Sequence, residues 1–310
     1  MTEREKNKND RKQLYQRHFT SAKESEAAIQ RLQDNGTFQL AFADHEFLLS
    51  DDLRHVRLQL EYLKPQLTLE QANVRATVVV FGSARFLPPE VAQANLASAQ
   101  QQQARAPQSA EYLQTLKQAE RDLRNSHYYA ESQHFARLVT EHSLSCPESD
   151  LMVISGGGPG IMEAANRGAM EAGGKSIGLN IVLPKEQHPN PYITPEFCFQ
   201  FHYFAIRKMH FLQRARALVA FPGGYGTLDE LFETLTLIQT KKVEPVPIVL
   251  VGKAFWQRLI DFDLLIEEGL IAPEDVQFFE LVESADEAWS RICAWYDLPN
   301  NVCGISEPPP

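Results

Sequence analysis

The chain has 310 residues, and its 40 acidic and 30 basic side chains give a formal net charge of −10 at pH 7. An apolar share of 44% with 23% charged residues is typical of a soluble globular protein. The acidic balance argues against a nucleic acid polymer as the main partner, because phosphate backbones bind basic surfaces. No apolar run approaches the roughly 20 residues of a membrane helix, so we expect no membrane partner either.

The cysteine pattern indicates neither a disulfide framework nor a metal site. Cys146, Cys198, Cys293 and Cys303 are widely spaced and form no CxxC pair. Free thiols in a reducing compartment are the simplest interpretation. The first 17 residues are polar and lack the apolar stretch of a secretory signal, so we expect a cytoplasmic protein.

The chain changes character along its length, and these changes predict its organisation. Apolar residues at helical spacing before residue 70 predict two or three helices, interrupted at Asn35-Gly36. A Gln- and Ala-rich stretch after residue 88 predicts a surface insertion broken by Pro107. The predicted parts are a flexible tail (1–20), an N-terminal helical region (21–72), a Rossmann-like nucleotide-binding catalytic domain (73–297) with a helical insertion (88–126), and a C-terminal tail (298–310).

From residue 76 onward, apolar strands alternate with amphipathic helices. The predicted strands are Thr77–Phe81, Leu151–Ile154, Ser176–Leu183, Phe197–Phe201, Ala217–Phe221, Val246–Val251 and Val276–Val282. The predicted helices are His127–His142, Ile161–Ala172, Phe204–Arg214, Leu228–Thr240, Phe255–Glu268 and one from Ala285. This alternation predicts an α/β fold, a Rossmann-like doubly wound parallel sheet with helices on both faces.

Two glycine-rich turns follow strands and open helices, where ligands bind in such sheets. They contain seven of the 16 glycines: Gly156, Gly157, Gly158 and Gly160, then Gly223, Gly224 and Gly226. Exposed N–H groups at a helix N-terminus favour anions, and glycine lets a phosphate approach closely. The alternative for each turn is a tight connection without a ligand.

Neither turn is a standard nucleotide motif. Gly156–Gly160 lacks the Lys-Ser/Thr ending of a P-loop, and it also fails the dinucleotide spacing. The sequence therefore supports neither ATP hydrolysis nor a redox role.

Several polar residues near these turns allow two interpretations. Thr227 and Glu230 have the T-x-x-E spacing of a capping box, so Glu230 is either a helix cap or a catalytic carboxylate. Arg207 and Lys208 are either solvated or paired with a phosphate or a carboxylate. His202 and His210 lie in an aromatic stretch, which favours a packing role over a catalytic one.

The segment PGGYGTLDE, residues 222–230, matches in full the PGGxGTxxE signature of the LOG family. FGSAR (81–85), SGGGPGIM (155–162) and the Arg207-Lys208 pair appear in the order that this family shows. The chain thus resembles the LOG phosphoribohydrolases, long labelled possible lysine decarboxylases, over about residues 74–295. Its extra N-terminal region and insertion resemble the longer bacterial branch, which includes nucleotide 5′-monophosphate nucleosidases.

The resemblance implies hydrolysis of the N-glycosidic bond of a nucleoside 5′-monophosphate, AMP or a cytokinin riboside monophosphate, without a metal or cofactor. It also implies a homodimer. Arg207 and Glu230 match the catalytic pair of the family. The positions that it implies for substrate binding are Gly82, Ser83, Arg85, Gly157, Gly158, Gly160, Glu186, Lys208, Gly223, Gly224, Gly226, Thr227 and Thr236.

The chemistry is consistent with these residues. A carboxylate stabilises the oxocarbenium-like state in which a glycosidic bond breaks, and we expect Arg207 to keep Glu230 ionised by lowering its pKa. Ala205, Ile206 and Phe211 depart from the short members of the family near the expected base pocket. A nucleotide-binding sensor on the same fold is the alternative function, whereas a pyridoxal-phosphate decarboxylase needs a Schiff-base lysine that nothing in the sequence indicates.

Overall fold

The computed structural model describes residues 26–146, 150–184 and 188–298, and the chain divides into two compact units between Arg57 and Leu58. The first unit contains the short helices α1 (Glu26–Gln33) and α2 (His45–Leu49) and two 3-10 turns. Asn35 interrupts the helices as predicted, because its side chain accepts a hydrogen bond from Thr37 N at 3.1 Å. Helix α3 (Arg54–Gln71) crosses the division, whereas the sequence-based boundary is at residue 72.

The second unit is built on a seven-stranded parallel sheet. Its strands are β1 (Ala76–Phe81), β2 (Leu151–Ser155), β3 (Ser176–Ile181), β4 (Cys198–Phe201), β5 (Ala215–Ala220), β6 (Ile248–Val251) and β7 (Phe279–Val282). They are ordered β4-β3-β2-β1-β5-β6-β7, and every neighbouring pair is parallel. This order confirms the predicted Rossmann-like doubly wound sheet.

The strands are apolar because both faces of the sheet are covered. On one face, Val78 and Val80 of β1 pack in a core with Phe135, Ile161 and Trp289. On the other face, Val79 and Phe81 pack with side chains that include Leu69, Phe211, Leu231 and Trp256. Strand β1 thus contributes alternate side chains to two separate cores, one on each face of the sheet.

The helices of this unit are α4 (Pro89–Arg105), α5 (Ala110–Ser145), α6 (Ile161–Glu171), α7 (Phe204–Leu212), α8 (Tyr225–Gln239), α9 (Lys253–Leu259), α10 (Phe262–Glu267) and α11 (Ala285–Trp295). Pro107 lies in the break between α4 and α5, as expected. However, α5 runs for 36 residues and joins the end of the predicted insertion to the predicted helix His127–His142. It is continuous because no Gly or Pro occurs within it.

Three other predicted elements were wrong in part. The predicted helix Phe255–Glu268 is two helices, because Asp261 caps a new start by accepting from Leu264 N at 3.0 Å. The predicted strand Val276–Val282 begins as a 3-10 turn and is extended only from Phe279. The predicted helix Leu228–Thr240 begins at Tyr225, which matters for the site.

The sheet order places two loops side by side. From β1 the chain runs outward through β2, β3 and β4, and from β5 it runs outward the other way, so β1 and β5 form the topological switch point. Ligands bind in the crevice at the carboxyl ends of such neighbouring strands. Among the described residues, no helix is long and apolar enough to cross a membrane.

Candidate active site

A cavity of about 680 Å³ opens at the switch point between β1 and β5. Its walls come from the loops after these two strands, the start of α8, the end of β3 and one side of α7. The structure brings nine of the predicted site residues into this lining: Gly82, Ser83, Arg85, Arg207, Gly223, Gly224, Gly226, Thr227 and Glu230.

The glycine loop after β5 presents free backbone donors to the cavity. Gly224 precedes α8 in an extended conformation, and its carbonyl accepts from Thr227 N at 3.0 Å and from Leu228 N at 3.1 Å. Among the hydrogen bonds of the described residues, the N–H groups of Tyr225 and Gly226 have no acceptor. Free N–H groups at the positive end of a helix dipole form an anion site.

The glycine loop after β2 is buried, and its backbone makes hydrogen bonds to other residues of the protein. Gly157 N donates to Ser155 Oγ at 3.1 Å, and the carbonyls of Gly157 and Gly158 accept from Asn190 N and Nδ2. Gly160 has a φ of 71° and lies so close to the Ser83 carbonyl that any side chain would collide with it. Gly157, Gly158 and Gly160 therefore lie outside the cavity lining, to which this loop contributes Gly156.

Glu230 is not a helix cap, because α8 begins at Tyr225 and Glu230 is its sixth residue. The capping box with Thr227 as N-cap is thus wrong, and Gly224 occupies that position. The Glu230 side chain is only 6% exposed and faces the cavity. Burial raises its pKa to about 7, although Arg207 and Lys208 oppose the shift. The expectation that Arg207 gives Glu230 a low pKa is overturned, since the cost of desolvation is larger.

Arg207 is held on one wall of the cavity by contacts on three sides. Its Nε donates to the Leu179 carbonyl at 2.8 Å, and its guanidinium lies 5.1 Å from the ring centre of Phe211. A side chain at Gly156 would collide with the guanidinium, so the glycine makes room for it. Burial lowers the pKa of Arg207, and Glu230 opposes that effect. Among the described residues, these two form no direct ion pair.

Phe211 is fully buried beneath Arg207 and does not line the cavity. Its departure from the short family members therefore affects the support of Arg207, and Phe211 contacts the cavity only through Arg207 and Phe81, which line it. His210 is also buried, between Tyr62 and Phe201, and burial lowers its pKa to about 4. This packing role agrees with the interpretation favoured by the sequence.

Two of the predicted residues lie beside the cavity. Lys208 and Thr236 line a shallower depression beside the cavity, together with Tyr225 and Phe232. Lys208 Nζ is 2.8 Å from Asp229 Oδ1 and 3.3 Å from Glu233 Oε2, and these pairs raise its pKa despite partial burial. Glu186 lies outside the described residues.

Sequence reasoning missed several residues that line the cavity. Asn180 lies at the carboxyl end of β3, where its Nδ2 donates to the Phe199 carbonyl at 3.2 Å. The signal that could have identified Asn180 is a polar residue at the carboxyl end of an apolar strand. Met162, Phe204 and Leu259 form apolar walls, and their contribution depends on packing that no local motif records.

Fold and site together define the class: a Rossmann-like α/β protein with a glycine loop at a helix N-terminus next to a buried carboxyl. Among the described residues, no group of three or more His, Cys, Asp or Glu side chains is arranged to hold a metal ion. The family model described as "Possible lysine decarboxylase" matches residues 162–292.

The relatives found by sequence share one activity name. A probable cytokinin riboside 5′-monophosphate phosphoribohydrolase of Oryza sativa subsp. japonica is 31% identical over 157 residues, 50% of this chain and 63% of that protein. A cytokinin riboside 5′-monophosphate phosphoribohydrolase of Arabidopsis thaliana is 32% identical over 146 residues, 46% of this chain and 66% of that protein. Both matches leave more than a third of the relative uncovered. The chain is therefore similar to the LOG phosphoribohydrolases over about half of its length.

A molybdenum cofactor carrier protein from Chlamydomonas reinhardtii is a more distant structural match. It is 17% identical with a TM-score of 0.41, and the match covers 72% of this chain and 97% of that one. At this low similarity the match carries no argument about function.

Proposed function

We propose that the protein hydrolyses the N-glycosidic bond of a nucleoside 5′-monophosphate, AMP or a cytokinin riboside monophosphate, to the free base and ribose 5-phosphate. The observation that carries the proposal is that Glu230 is buried and lines a cavity with free N–H groups at its rim. Burial raises the pKa of this carboxyl to about 7. The names of the sequence relatives point to the same reaction.

The loop Gly223–Gly226 is the proposed phosphate site. The unpaired N–H groups of Tyr225 and Gly226 and the dipole of α8 favour a dianion there. Arg85 is exposed at the rim of the same cavity and adds a positive charge. Because the phosphate does not react, its binding energy places the glycosidic bond against the catalytic groups.

Glu230 is the proposed catalytic carboxylate. A carboxyl with a pKa near 7 is matched to proton transfer at neutral pH, so ionised Glu230 accepts a proton from the attacking water. The C–N bond of the nucleotide breaks, the water oxygen bonds to the sugar carbon, and the base leaves with the bonding electrons and takes up a proton. The negative charge of Glu230 also stabilises the oxocarbenium-like sugar before the water adds.

The apolar side chains of the cavity suit a planar base. Met162, Ile181, Leu183, Phe204 and Leu259 supply this part of the lining. Asn180 is the polar group beside them and provides hydrogen bonding to the ligand. The described lining contains no lysine, so a Schiff-base reaction lacks an amine there.

We further propose that the protein acts as a homodimer. Large apolar side chains are exposed around the cavity and the depression beside it, including Phe204 at 50%, Met209 at 51% and Tyr225 at 92%. These exposed apolar side chains are the proposed interface, because exposed apolar patches mark interaction sites. Phe211 on the same helix is buried and takes no part in this surface.

Incubation of the purified protein with AMP tests the proposed activity. Free adenine and ribose 5-phosphate in equal amounts are the expected products. Nucleotide binding without base release identifies the sensor alternative instead. A panel of nucleoside monophosphates that includes isopentenyl-AMP then ranks the bases by kcat/KM.

A further inference from the structure

The helix that carries Arg207 is held at both ends by α3, the last helix of the N-terminal extension. The side chain of Tyr203 makes no cap at the start of α7. Instead, the two carboxylate oxygens of Glu61 accept from His202 N at 2.8 Å and from Tyr203 N at 3.1 Å. A carboxylate that binds two backbone donors fixes both the position and the direction of this helix start.

The next turns of α3 hold the middle and the end of α7. The ring of Tyr62 lies 5.2 Å from the buried ring of His210, and its hydroxyl accepts from Gln213 Nε2 at 3.1 Å. One turn further, Gln66 Oε1 accepts from Arg214 Nη2 at 2.9 Å. These contacts anchor α7 along its whole length.

This arrangement bears on the site because α7 carries the two cations that face Glu230. Arg207 extends from its first turn and Lys208 follows directly. Both cations oppose the effect of burial on Glu230, and they do so only while α7 stays in place. A displacement of about 1 Å in a catalytic arrangement costs on the order of a hundredfold in rate.

We propose that Glu61 is a positioning residue for the reaction, and that residues 58–71 of the N-terminal extension hold the arginine helix against Glu230. This role rests on the proposed hydrolase function and gives the end of the extension a task within it. Glu61 is not among the described residues that line the cavity, and its two hydrogen bonds go to the backbone directly before α7, so it acts through the position of that helix.

The test compares Glu61→Gln with Glu120→Gln. The substitution at position 61 keeps one acceptor oxygen and loses the second, whereas Glu120 is exposed on α5, outside the segment that holds α7. We expect Glu61→Gln to lower kcat by about ten- to a hundredfold with little change in KM. Glu120→Gln, which removes an equal charge, is expected to keep the wild-type rate.

A pH profile separates positioning from mere stability. The charged groups that face Glu230 are Arg207 and Lys208 on α7 and Asp229 and Glu233 on α8. If α7 moves away, its two cations no longer oppose burial, so the acidic limb of the kcat profile shifts to higher pH in Glu61→Gln. A lower Tm with wild-type kcat and an unshifted profile would overturn the proposal.

Two further measurements keep the proposal testable. If Glu61→Gln fails to fold, Tyr62→Phe removes only the hydroxyl that binds Gln213, and the same shift with a smaller loss of kcat is expected. Wild-type kinetics in Tyr62→Phe would then contradict the proposal. Backbone amide hydrogen exchange of residues 204–212 is expected to be faster in Glu61→Gln than in wild type. This measurement tests the anchoring of α7 even if the wild-type protein releases no base from any nucleotide. A wild-type protein that releases no base from any nucleotide would refute the hydrolase function but not the anchoring of α7.

Discussion

Lys208 Nζ donates to Asp229 Oδ1 at 2.8 Å, so the cation next to Arg207 is bound to the carboxylate next to Glu230. Arg207 and Glu230 both line the cavity, and among the described ion pairs neither has a partner. The two neighbouring carboxyl groups have different environments, since Asp229 is exposed and Glu230 is buried. This difference makes Glu230 the carboxyl that titrates near neutral pH.

The first prediction concerns Lys208, which lowers the pKa of Glu230 against the effect of burial. Lys208→Met removes this charge, so the pKa of Glu230 rises further. Activity that needs the ionised carboxylate is then lost at higher pH, and the acidic limb of the kcat profile moves upward. Lys242→Met, on an exposed turn, is the control. An unmoved limb in Lys208→Met would show that Glu230 does not control the rate.

The second prediction concerns Gly226 in the proposed phosphate loop. A methyl group at this position meets no heavy atom within 4 Å, so the fold accepts alanine there. Because alanine favours the helix, Gly226→Ala is expected to raise stability by up to about 1 kcal/mol. The methyl group occupies space that the phosphate needs, so KM for the nucleotide rises several-fold. Thermal unfolding and steady-state kinetics measure both, and an unchanged KM would remove the loop from the phosphate site.

The third prediction is that the 5′-phosphate is required. The free N–H groups at the start of α8 are the proposed phosphate site, and adenosine has no phosphate. We expect kcat/KM for AMP to exceed that for adenosine by at least about a hundredfold, because the remote binding energy positions the reacting bond. Similar values for the two substrates would contradict the proposed use of this helix end.

The fourth prediction is the homodimer. Light scattering at working concentration is expected to give about twice the 35.1 kDa mass of the chain. Met209→Glu places a charge on the exposed apolar surface without entering the core, so it is expected to shift the mass toward the monomer. A wild-type monomer at that concentration would refute the proposal.

The fold was predictable from the sequence because its signals are local. Runs such as Thr77–Phe81 are β-branched and apolar, and they alternate with amphipathic helices, which leaves few other architectures. The insertion was harder, since helix α5 crosses the predicted boundary at residue 126 without a breaker to mark either side.

Nine of the predicted site residues line the cavity, whereas the raised pKa of Glu230 was not expected from the sequence. The glycine loop after β5 and the motif around Glu230 are contiguous, so they could be identified by eye. The start of α8 was misplaced because Thr227 has the chemistry of an N-cap, while Gly224 satisfies the helix start by its backbone. Burial of Glu230 and the anchoring of α7 by Glu61 depend on contacts between distant segments, which sequence spacing does not record.

The last prediction concerns Glu230→Gln, first in its effect on stability. The pKa of Glu230 in the folded protein, about 7, lies above its ordinary value of 4.5, so ionisation opposes folding. This destabilisation is absent below the unfolded pKa, grows as pH rises between the two values, and is complete above pH 7. Glutamine cannot ionise. The variant is therefore expected to be more stable than wild type at pH 8, by up to roughly 3 kcal/mol, and equal to it near pH 4.

Activity is expected to move in the opposite direction. Glutamine has nearly the shape of glutamate, but it supplies neither negative charge to an oxocarbenium-like state nor a base for the attacking water. We expect kcat to fall by on the order of a hundredfold or more, while AMP binding survives because the phosphate contacts lie on the loop Gly223–Gly226. Single-turnover assays, calorimetric titration with AMP and urea unfolding at pH 4 and pH 8 measure the three effects. A variant that is stabilised at pH 8 and keeps its rate within a few-fold would show that Glu230 is a buried carboxyl without a catalytic role, and the reaction would need another base.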